Sequence, residues 1–195
     1  MRRREFLIQS AAFGVAMPLA GAAIAQTGWT ELFDSKTLNG WNRVGEANWR
    51  VEDGVIAADG GKGGYLVTPA NYRDFELFAE IWADEKANSG IFFRCSDPNK
   101  ITATNAYEAN VFDTRSDPSY GTGAIVNVAK VDPMPRAANK WSTMEISAKG
   151  DVLNFKFAGI HTVKDVKDNK YADGPIALQY GTGIVKFRNV KVRRI

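Results

Sequence analysis

One cysteine and one histidine stand among the 195 residues, and those two scarcities remove a good deal of chemistry. Cys95 alone cannot close an internal disulfide, so the fold must rest on packing. His161 alone excludes a histidine-rich metal cluster and leaves no Ser-His-Asp arrangement above chance. The chain also lacks any long window with a 3.6-residue apolar period, which excludes a helical bundle. No internal repeat and no low-complexity tract occur. Asp97, Asp113 and Asp117 are oxygen donors without the regular spacing of a calcium loop. The Gly60–Gly64 run lacks the spacing and the following helix of a phosphate-binding loop.

Charge of one sign is scarce as well. The formal net charge is +3, but Arg2, Arg3, Arg4 and Glu5 all lie in the first few residues. The segment Met1–Ala25 runs from these arginines through an apolar stretch to Ala23-Ile24-Ala25, an A-x-A cleavage pattern. Arg3-Arg4-Glu5-Phe6-Leu7 resembles a twin-arginine export signal, which a receptor reads as an address. Gly14, Pro18 and Gly21 interrupt the apolar run, and it falls short of the roughly 20 residues a spanning helix needs. The expectation is therefore an export signal over 1–25 and one domain over 26–195, periplasmic or secreted, with no stable membrane anchor after cleavage. Without the three arginines and one glutamate of that segment, the remaining net charge is +1. A near-neutral body with no basic block has no electrostatic footprint for nucleic acid.

What the chain does have is many short β-rich runs separated by turn residues. Expected strands are Trp49–Ala57, Gly64–Val67, Phe75–Ala83, Gly90–Cys95, Ala106–Phe112, Gly123–Val128, Trp141–Ser147, Val152–Phe157, Pro175–Gln179 and Ile184–Val192. Asp53-Gly54, Asn88-Ser89-Gly90, Asp97-Pro98, Lys149-Gly150-Asp151 and Asp173-Gly174 punctuate them. Strands at this spacing predict an all-β, two-sheet sandwich or a barrel. Thr114–Lys140, broken by Pro118, Pro133 and Pro135, reads as loops around one short strand.

Alternation then sorts side chains by face. Phe75, Leu77, Ala79 and Ile81 fall on one parity, continued by Ile91, Phe93 and Cys95, and read as core. Glu76, Phe78, Glu80 and Trp82, then Phe92 and Arg94, fall on the other. Aromatic planes beside carboxylates and a guanidinium suit a sugar site, which makes Phe75–Cys95, read as a hairpin, the first candidate. The same test turns Glu108 and Asn110, Gln179, and Trp141, Thr143 and Glu145 away from the core. If all these strands shared a sheet, one surface would gather Glu80, Arg94, Glu108, Asn110 and Gln179. Tyr107 and Asp113 lie on the core parity and enter as strand-end contacts. Trp29, Trp41 and Trp49 read as packing residues, and His161 as structural or solvated.

At these residues the chain resembles a known family. Trp29-Thr30-Glu31-Leu32-Phe33-Asp34, Leu38-Asn39-Gly40-Trp41, Trp49-Arg50-Val51-Glu52-Asp53-Gly54, Asn88-Ser89-Gly90-Ile91-Phe92-Phe93-Arg94, Tyr107-Glu108 and Phe187-Arg188-Asn189-Val190 together resemble the 3-keto-disaccharide hydrolase family. That family is also described as 3-keto-glucoside lyase and 3-keto-2-hydroxy-glucal hydratase. The resemblance covers essentially all of 26–195 and implies a concanavalin-like jelly roll acting on a small carbohydrate. Two positions depart from the pattern: Asn110 stands where the family often has Gln, and Tyr180 where it often has His. A 3-keto sugar carries an acidified C2 proton, so its cleavage needs a base at C2, an enolate stabiliser and an acid for the leaving oxygen. The expected roles are Glu108 or Glu80 as base, Arg94 as stabiliser and the other carboxylate as acid or metal ligand. Asn110, Gln179, Trp141, Tyr107 and Asp113 are the expected substrate contacts. A divalent ion is an alternative electrophile, and no ligand set is assigned to it. The competing reading is a non-catalytic carbohydrate-binding module on the same jelly roll.

Overall fold

The computed structural model describes residues 28–195, so the expected export signal over 1–25 lies outside the described residues. Thirteen strands follow one another: β1 (Thr30–Glu31), β2 (Asn42–Gly45), β3 (Arg50–Glu52), β4 (Val55–Ala58), β5 (Gly64–Val67), β6 (Phe75–Ala83), β7 (Asn88–Phe93), β8 (Tyr107–Val111), β9 (Trp141–Lys149), β10 (Val152–Phe157), β11 (Ile160–Lys167), β12 (Ala177–Thr182) and β13 (Val185–Arg194). Among the described residues the one helical turn is Pro118–Tyr120, and no helix is long and apolar enough to cross a membrane. All named strand pairs are antiparallel and build two sheets. The larger has the order β11-β10-β9-β6-β13-β4-β3 with β1 beside β13, and the smaller has the order β2-β5-β12-β7-β8.

The alternation in β6 is followed residue by residue. Phe75, Leu77, Ala79 and Ile81 are buried between the sheets, while Glu76, Phe78, Glu80 and Trp82 are half-buried on the outer face. Ile91 and Phe93 of β7, Tyr107 and Ala109 of β8, and Leu66 and Leu178 supply the facing layer of the same core. Phe75 meets Phe93 edge-on across the layers, with ring centres 5.8 Å apart, an arrangement aromatic pairs favour.

Three expectations differ from the structure. Trp49–Ala57 is not one strand but two, β3 and β4, paired through the turn at Asp53-Gly54. Phe75–Cys95 is not a hairpin: β6 lies in the larger sheet and β7 in the smaller, and the turn after Ala83 crosses from one layer to the other. Gly123–Val128 is not a strand, because Gly123 (φ 91°) and Asn127 (φ 61°) take left-handed backbone that an extended run cannot contain. The segment instead covers the free edge of β8, with Asn110 N–H donating to Ala124 O at 3.0 Å and Val126 N–H to Glu108 O at 3.0 Å. The strands β2 and β11 escape sequence reading because they are edge strands whose residues are mostly exposed or half-buried.

Arg94 joins the layers. It follows the last residue of β7 with φ 52°, a left-handed conformation that costs a non-glycine residue energy and reverses the alternation. Its side chain therefore leaves the outer face expected for it and runs to the end of the sandwich, where it is 1% exposed. The guanidinium donates to Arg73 O (Nε, 2.9 Å), Gly150 O (Nη1, 2.8 Å) and Tyr171 O (Nη1, 3.2 Å), and meets the Asp74 carboxylate at 3.4 Å. Arg73 and Asp74 lead into β6 and Gly150 turns β9 into β10, so a residue of the smaller sheet is fastened to the larger one. Asp74 also accepts from Gly150 N–H at 2.7 Å. Gly174, at φ 150°, allows the close approach here, since a Cβ on it would collide with the backbone of Arg94 and Cys95.

A substitution that keeps charge but loses the fork should leave buried carbonyls unpaired. Arg94→Lys is expected to lower unfolding free energy by about 2–4 kcal/mol in urea titration. Unchanged stability would show that the carbonyls find other partners.

Candidate functional site on the outer face of the smaller sheet

Register places two rows of side chains on the outer face of the smaller sheet. Asn42, Val67, Ala177, Phe92 and Glu108 are successive partners across β2, β5, β12, β7 and β8, and Val44, Tyr65, Gln179, Gly90 and Asn110 form the next row on that face. Glu108, Asn110 and Gln179 thus share one surface, as the alternation predicts. Gly90 lies between the latter two and leaves the sheet without a side chain there.

The left-handed turn at Arg94 has a second effect on this face. It moves Cys95 out of the core expected for it and onto the outer side of the smaller sheet. There Cys95, Ile101 and Ala106 pack with Phe92, Val67 and Ala177 into a small cluster, flanked by Tyr65, Val44 and Ala103. The loop that carries Ile101 is closed by its own polar groups. Ser96 N–H donates to Asn105 O (2.9 Å), Thr102 N–H to Asn105 Oδ1 (2.8 Å), and Asn105 Nδ2 to Lys100 O (2.6 Å). With its polar groups satisfied internally, the loop offers apolar side chains to the sheet. Burial pushes the Cys95 thiol up to about 12, so it carries no reactive thiolate at neutral pH.

Glu108 sits in the row of Phe92 and is 6% exposed. Burial in these surroundings pushes its carboxyl up to about 7, and only the charge of Arg115 opposes the change. A carboxyl poised there exchanges a proton near neutral pH, the property required of a general acid or base. Tyr65 is raised from its ordinary value, first by burial and then by the charge of Glu108, and therefore keeps its proton. In the next row Asn110 Oδ1 and Gln179 Oε1 are buried without a hydrogen-bond partner, while Asn110 Nδ2 donates to Tyr120 O at 2.7 Å. Unpaired buried acceptors are costly, so two on the same face as an ionisable carboxyl call for donors from elsewhere. A cavity of about 380 Å³ opens over Tyr65 and Gln179, walled by Lys62–Gly64 on one side and by Lys100 and Ile101 on the other.

The remaining expected site residues lie elsewhere. Glu80 is on the outer face of the larger sheet, across the sandwich from Glu108. Arg188 Nε (2.5 Å) and Asn189 Nδ2 (2.7 Å) both donate to its Oε2, which leaves it an ion-paired strand residue. Trp141 shares that face, opposite Trp82, with the Arg188 guanidinium 4.1 Å above its ring. Tyr107 points into the core, where its hydroxyl donates to Asp168 Oδ1 at 2.5 Å and accepts from Tyr171 N–H at 3.2 Å. Asp113 is consumed by its own loop, accepting from Thr122 Oγ1 (2.6 Å) and from the Ala137 and Ala138 N–H groups (3.0 Å each to Oδ2). Tyr180 turns into the core, edge-on to Trp49 at 6.4 Å, and so is not placed beside Glu108 as a substitute for histidine. Among the described residues no three Cys, His, Asp or Glu side chains converge as a metal-ligand group.

Tyr65, Lys62, Lys100 and Ile101 are the neighbours that sequence reading passes over. A signal for Tyr65 exists: it alternates with Leu66 in an expected strand, so it lies on the non-core parity beside glycine. Lys100 and Ile101 belong to an irregular loop and have no such periodicity.

A 3-keto-disaccharide hydrolase of Bacteroides thetaiotaomicron is 36% identical over 78 residues, covering 34% of this chain and 27% of its own length. The alignment therefore spans about a quarter of that relative. A protein of Parabacteroides distasonis assigned as a glycosyl hydrolase superposes with a TM-score of 0.74 at 19% identity, over 86% of this chain and 94% of its own. The carbohydrate-binding module CBM66 of Bacillus subtilis superposes with a TM-score of 0.63 at 20% identity, over 79% of this chain and 95% of its own. At such identities the structures establish the shared jelly-roll fold. The family described as the 3-keto-alpha-glucoside-1,2-lyase-like domain matches residues 28–193, and to that family this chain belongs.

Proposed function

We propose that the protein cleaves 3-keto-glycosides at the outer face of the smaller sheet, with Glu108 as the proton-transfer group. The observation that carries this reading is the desolvated Glu108 carboxyl, raised to about 7, on the same sheet face as two unpaired acceptors, one of which, Gln179, lines a cavity. Family membership and the name of the Bacteroides relative support the substrate class.

The chemistry follows from the ketone. Ionised Glu108 takes the C2 proton, and the electron pair of that C–H bond forms a C2–C3 double bond with the negative charge on O3. The enolate then re-forms the C3 ketone and a C1–C2 double bond as the C1–O bond breaks. The departing alkoxide takes a proton from a neutral donor, a role suited to the Tyr65 hydroxyl. The products are a free alcohol and a 3-keto-2-hydroxy-glucal, and addition of water across C1–C2 completes a net hydrolysis. Asn110 Oδ1 and Gln179 Oε1 accept hydrogen bonds from sugar hydroxyls, which fixes the ring over Gly90. Arg94 and Glu80 have structural roles in this scheme. The arginine-led, A-x-A-terminated segment at 1–25 supports placing the reaction in the periplasm or outside the cell. The CBM66-like fold favours a second reading, non-catalytic carbohydrate binding, which predicts affinity for unoxidised sugars and no turnover.

Mass spectrometry of products from 3-keto-trehalose and 3-keto-glucosides, with and without added divalent metal, separates the two. Cleavage that Glu108→Gln slows by about 10²- to 10⁴-fold is expected. An inert wild-type protein overturns catalysis. Because the base must be ionised, kcat/KM should rise with pH to a plateau above about 7. Stability should move the opposite way. The folded carboxyl holds its proton up to about 7 and the unfolded one only to the ordinary 4.5, so unfolding is favoured as pH rises between them. Glu108→Gln is therefore expected to match wild type near pH 4 and to be more stable above pH 7, by up to about 3 kcal/mol in urea titration.

A further inference from the structure

We infer that Arg115 is the group that stabilises the enolate, its guanidinium holding the charge that develops on O3 while Glu108 takes the C2 proton. This role rests on the cleavage proposed for Glu108, and it is one that Arg94 leaves vacant. Enolate formation puts a negative charge on O3, and preorganised donors aimed at such a charge are among the largest contributions to catalysis. Arg94, expected there from the sequence, is committed to Arg73 O, Gly150 O and Tyr171 O at the end of the sandwich.

Positive charge elsewhere in the chain is mostly engaged. Arg50 is paired with Glu52, Arg188 with Glu80 and Arg193 with Glu76, while Arg136 donates to Asp113 O and Arg194 to Asn71 O. On the outer face of the larger sheet Trp29 is 41% exposed, so it is not the packing residue expected from the sequence, and Lys191 and Arg193 cover its ring. Among the described residues, Arg43, Arg73 and Arg115 are the arginines whose side chains make neither an ion pair nor a hydrogen bond. Arg43 and Arg73 are exposed to water, whereas Arg115 is half-buried. A guanidinium partly withdrawn from water without a counter-charge is costly, and an anion formed beside it removes that cost.

Position then links Arg115 to the base. Its N–H donates to Phe112 O at 3.4 Å, which turns the chain back at the end of β8. Asp113 anchors that turn through Thr122 and the 137–138 backbone. The returning segment runs beside β8, with Gly123 N–H donating to Asn110 O and Val126 N–H to Glu108 O. At about 3.3 Å per residue, Glu108 stands roughly 13 Å before Phe112 along the strand. Yet the Glu108 carboxyl, raised by burial, is drawn back by the charge of Arg115. Charges are largely screened beyond about 8–10 Å at ordinary ionic strength. The guanidinium therefore lies back along β8, toward Asn110 and Glu108, and not beyond the strand end. Asp117, the other carboxylate its charge reaches, is exposed and already accepts from the Ser119 N–H and hydroxyl.

The chemistry assigns the guanidinium to O3. As Glu108 takes the C2 proton, the C–H electron pair forms the C2–C3 double bond and O3 gains the charge. Arg115 donates N–H hydrogen bonds to O3 and keeps its own protons, since an arginine is not deprotonated in proteins. When the ketone re-forms and the C1–O bond breaks, the charge leaves O3 and these bonds weaken with it. Lys62 and Lys100, the cations of the cavity, stand over β2, β5 and β12, and Lys62 is matched with Glu46. On the β8 side, next to the base, the cation is Arg115.

Steady-state cleavage of a 3-keto-glucoside by wild type, Arg115→Ala and Lys130→Ala tests the assignment. Arg115→Ala is expected to lower kcat about 10²- to 10³-fold with little change in KM, the loss of one oxyanion donor. Guanidinium chloride, added well below denaturing concentrations, should restore part of that rate. Lys130→Ala removes a charge that lies over the nearby Tyr120 ring and should keep the wild-type rate. In Arg115→Ala the midpoint of the kcat/KM–pH profile should move above about 7, because the charge that draws the Glu108 carboxyl down is gone. If urea titration shows Arg115→Ala to be poorly folded, Arg115→Lys takes its place, keeping the charge without the planar fork and losing kcat in the same direction. Full kcat in a folded Arg115 variant overturns the assignment and leaves Glu108 as the base. A loss confined to KM, or an equal loss in Lys130→Ala, overturns it as well. An inert wild type overturns cleavage itself and the role of Arg115 with it, so the two failures are told apart.

Discussion

The buried Arg94 guanidinium is the constraint on which the arrangement depends. Its three carbonyl partners come from the strand entry before β6, the β9–β10 turn and the segment before β12, so one side chain holds both sheets and a connecting loop. Burial opposes its charge, and Asp74 offsets part of that cost. A buried cation held by geometry of this quality is expensive to break and difficult to replace, because lysine cannot reach the same carbonyls. The left-handed backbone at Arg94 is tolerated for the same reason: the surrounding contacts over-determine it.

That single backbone conformation also shapes the site. By reversing alternation after Phe93 it sends Cys95 to the outer face of the smaller sheet, where the self-bonded loop lays Ile101 and Ala106 beside Phe92. The apolar cover formed there is part of what raises the Glu108 carboxyl to about 7. Structural strain and acid–base chemistry are therefore linked through one residue, although Arg94 itself faces away from the cavity. Glu108 gains a proton affinity useful near neutral pH, and the fold pays in stability as pH rises.

Much of this was legible in the chain, and the reasons for the rest are physical. The alternation in Phe75–Ala83, in Tyr107–Val111 and at Ala177–Gln179 gives the core residues and places Glu108, Asn110 and Gln179 on one face, because a two-residue period survives wherever one face is buried. Glu80 and Trp141 obey the same rule and still fall on the wrong sheet, since parity assigns a face without saying which sheet a strand joins. Arg94 misleads for a different reason: a positive φ at an arginine leaves no mark in composition, and Cys95 after it changes side. Tyr107 and Asp113 have the right polarity for a site, yet Asp168, Tyr171 and the 137–138 backbone take up their hydrogen bonds. Lys100 and Ile101 wall the cavity from a loop whose shape is set by Asn105, which no periodicity reveals.

Proton removal by a carboxyl on the smaller sheet is the step on which the proposed cleavage depends. Incubation of a 3-keto-glucoside in deuterium oxide, with NMR of the recovered substrate and products, observes that step itself. Deuterium is expected at C2 in the presence of wild-type protein and at no more than the uncatalysed rate with Glu108→Gln. Exchange at C2 that proceeds undiminished in the Glu108→Gln protein would contradict it.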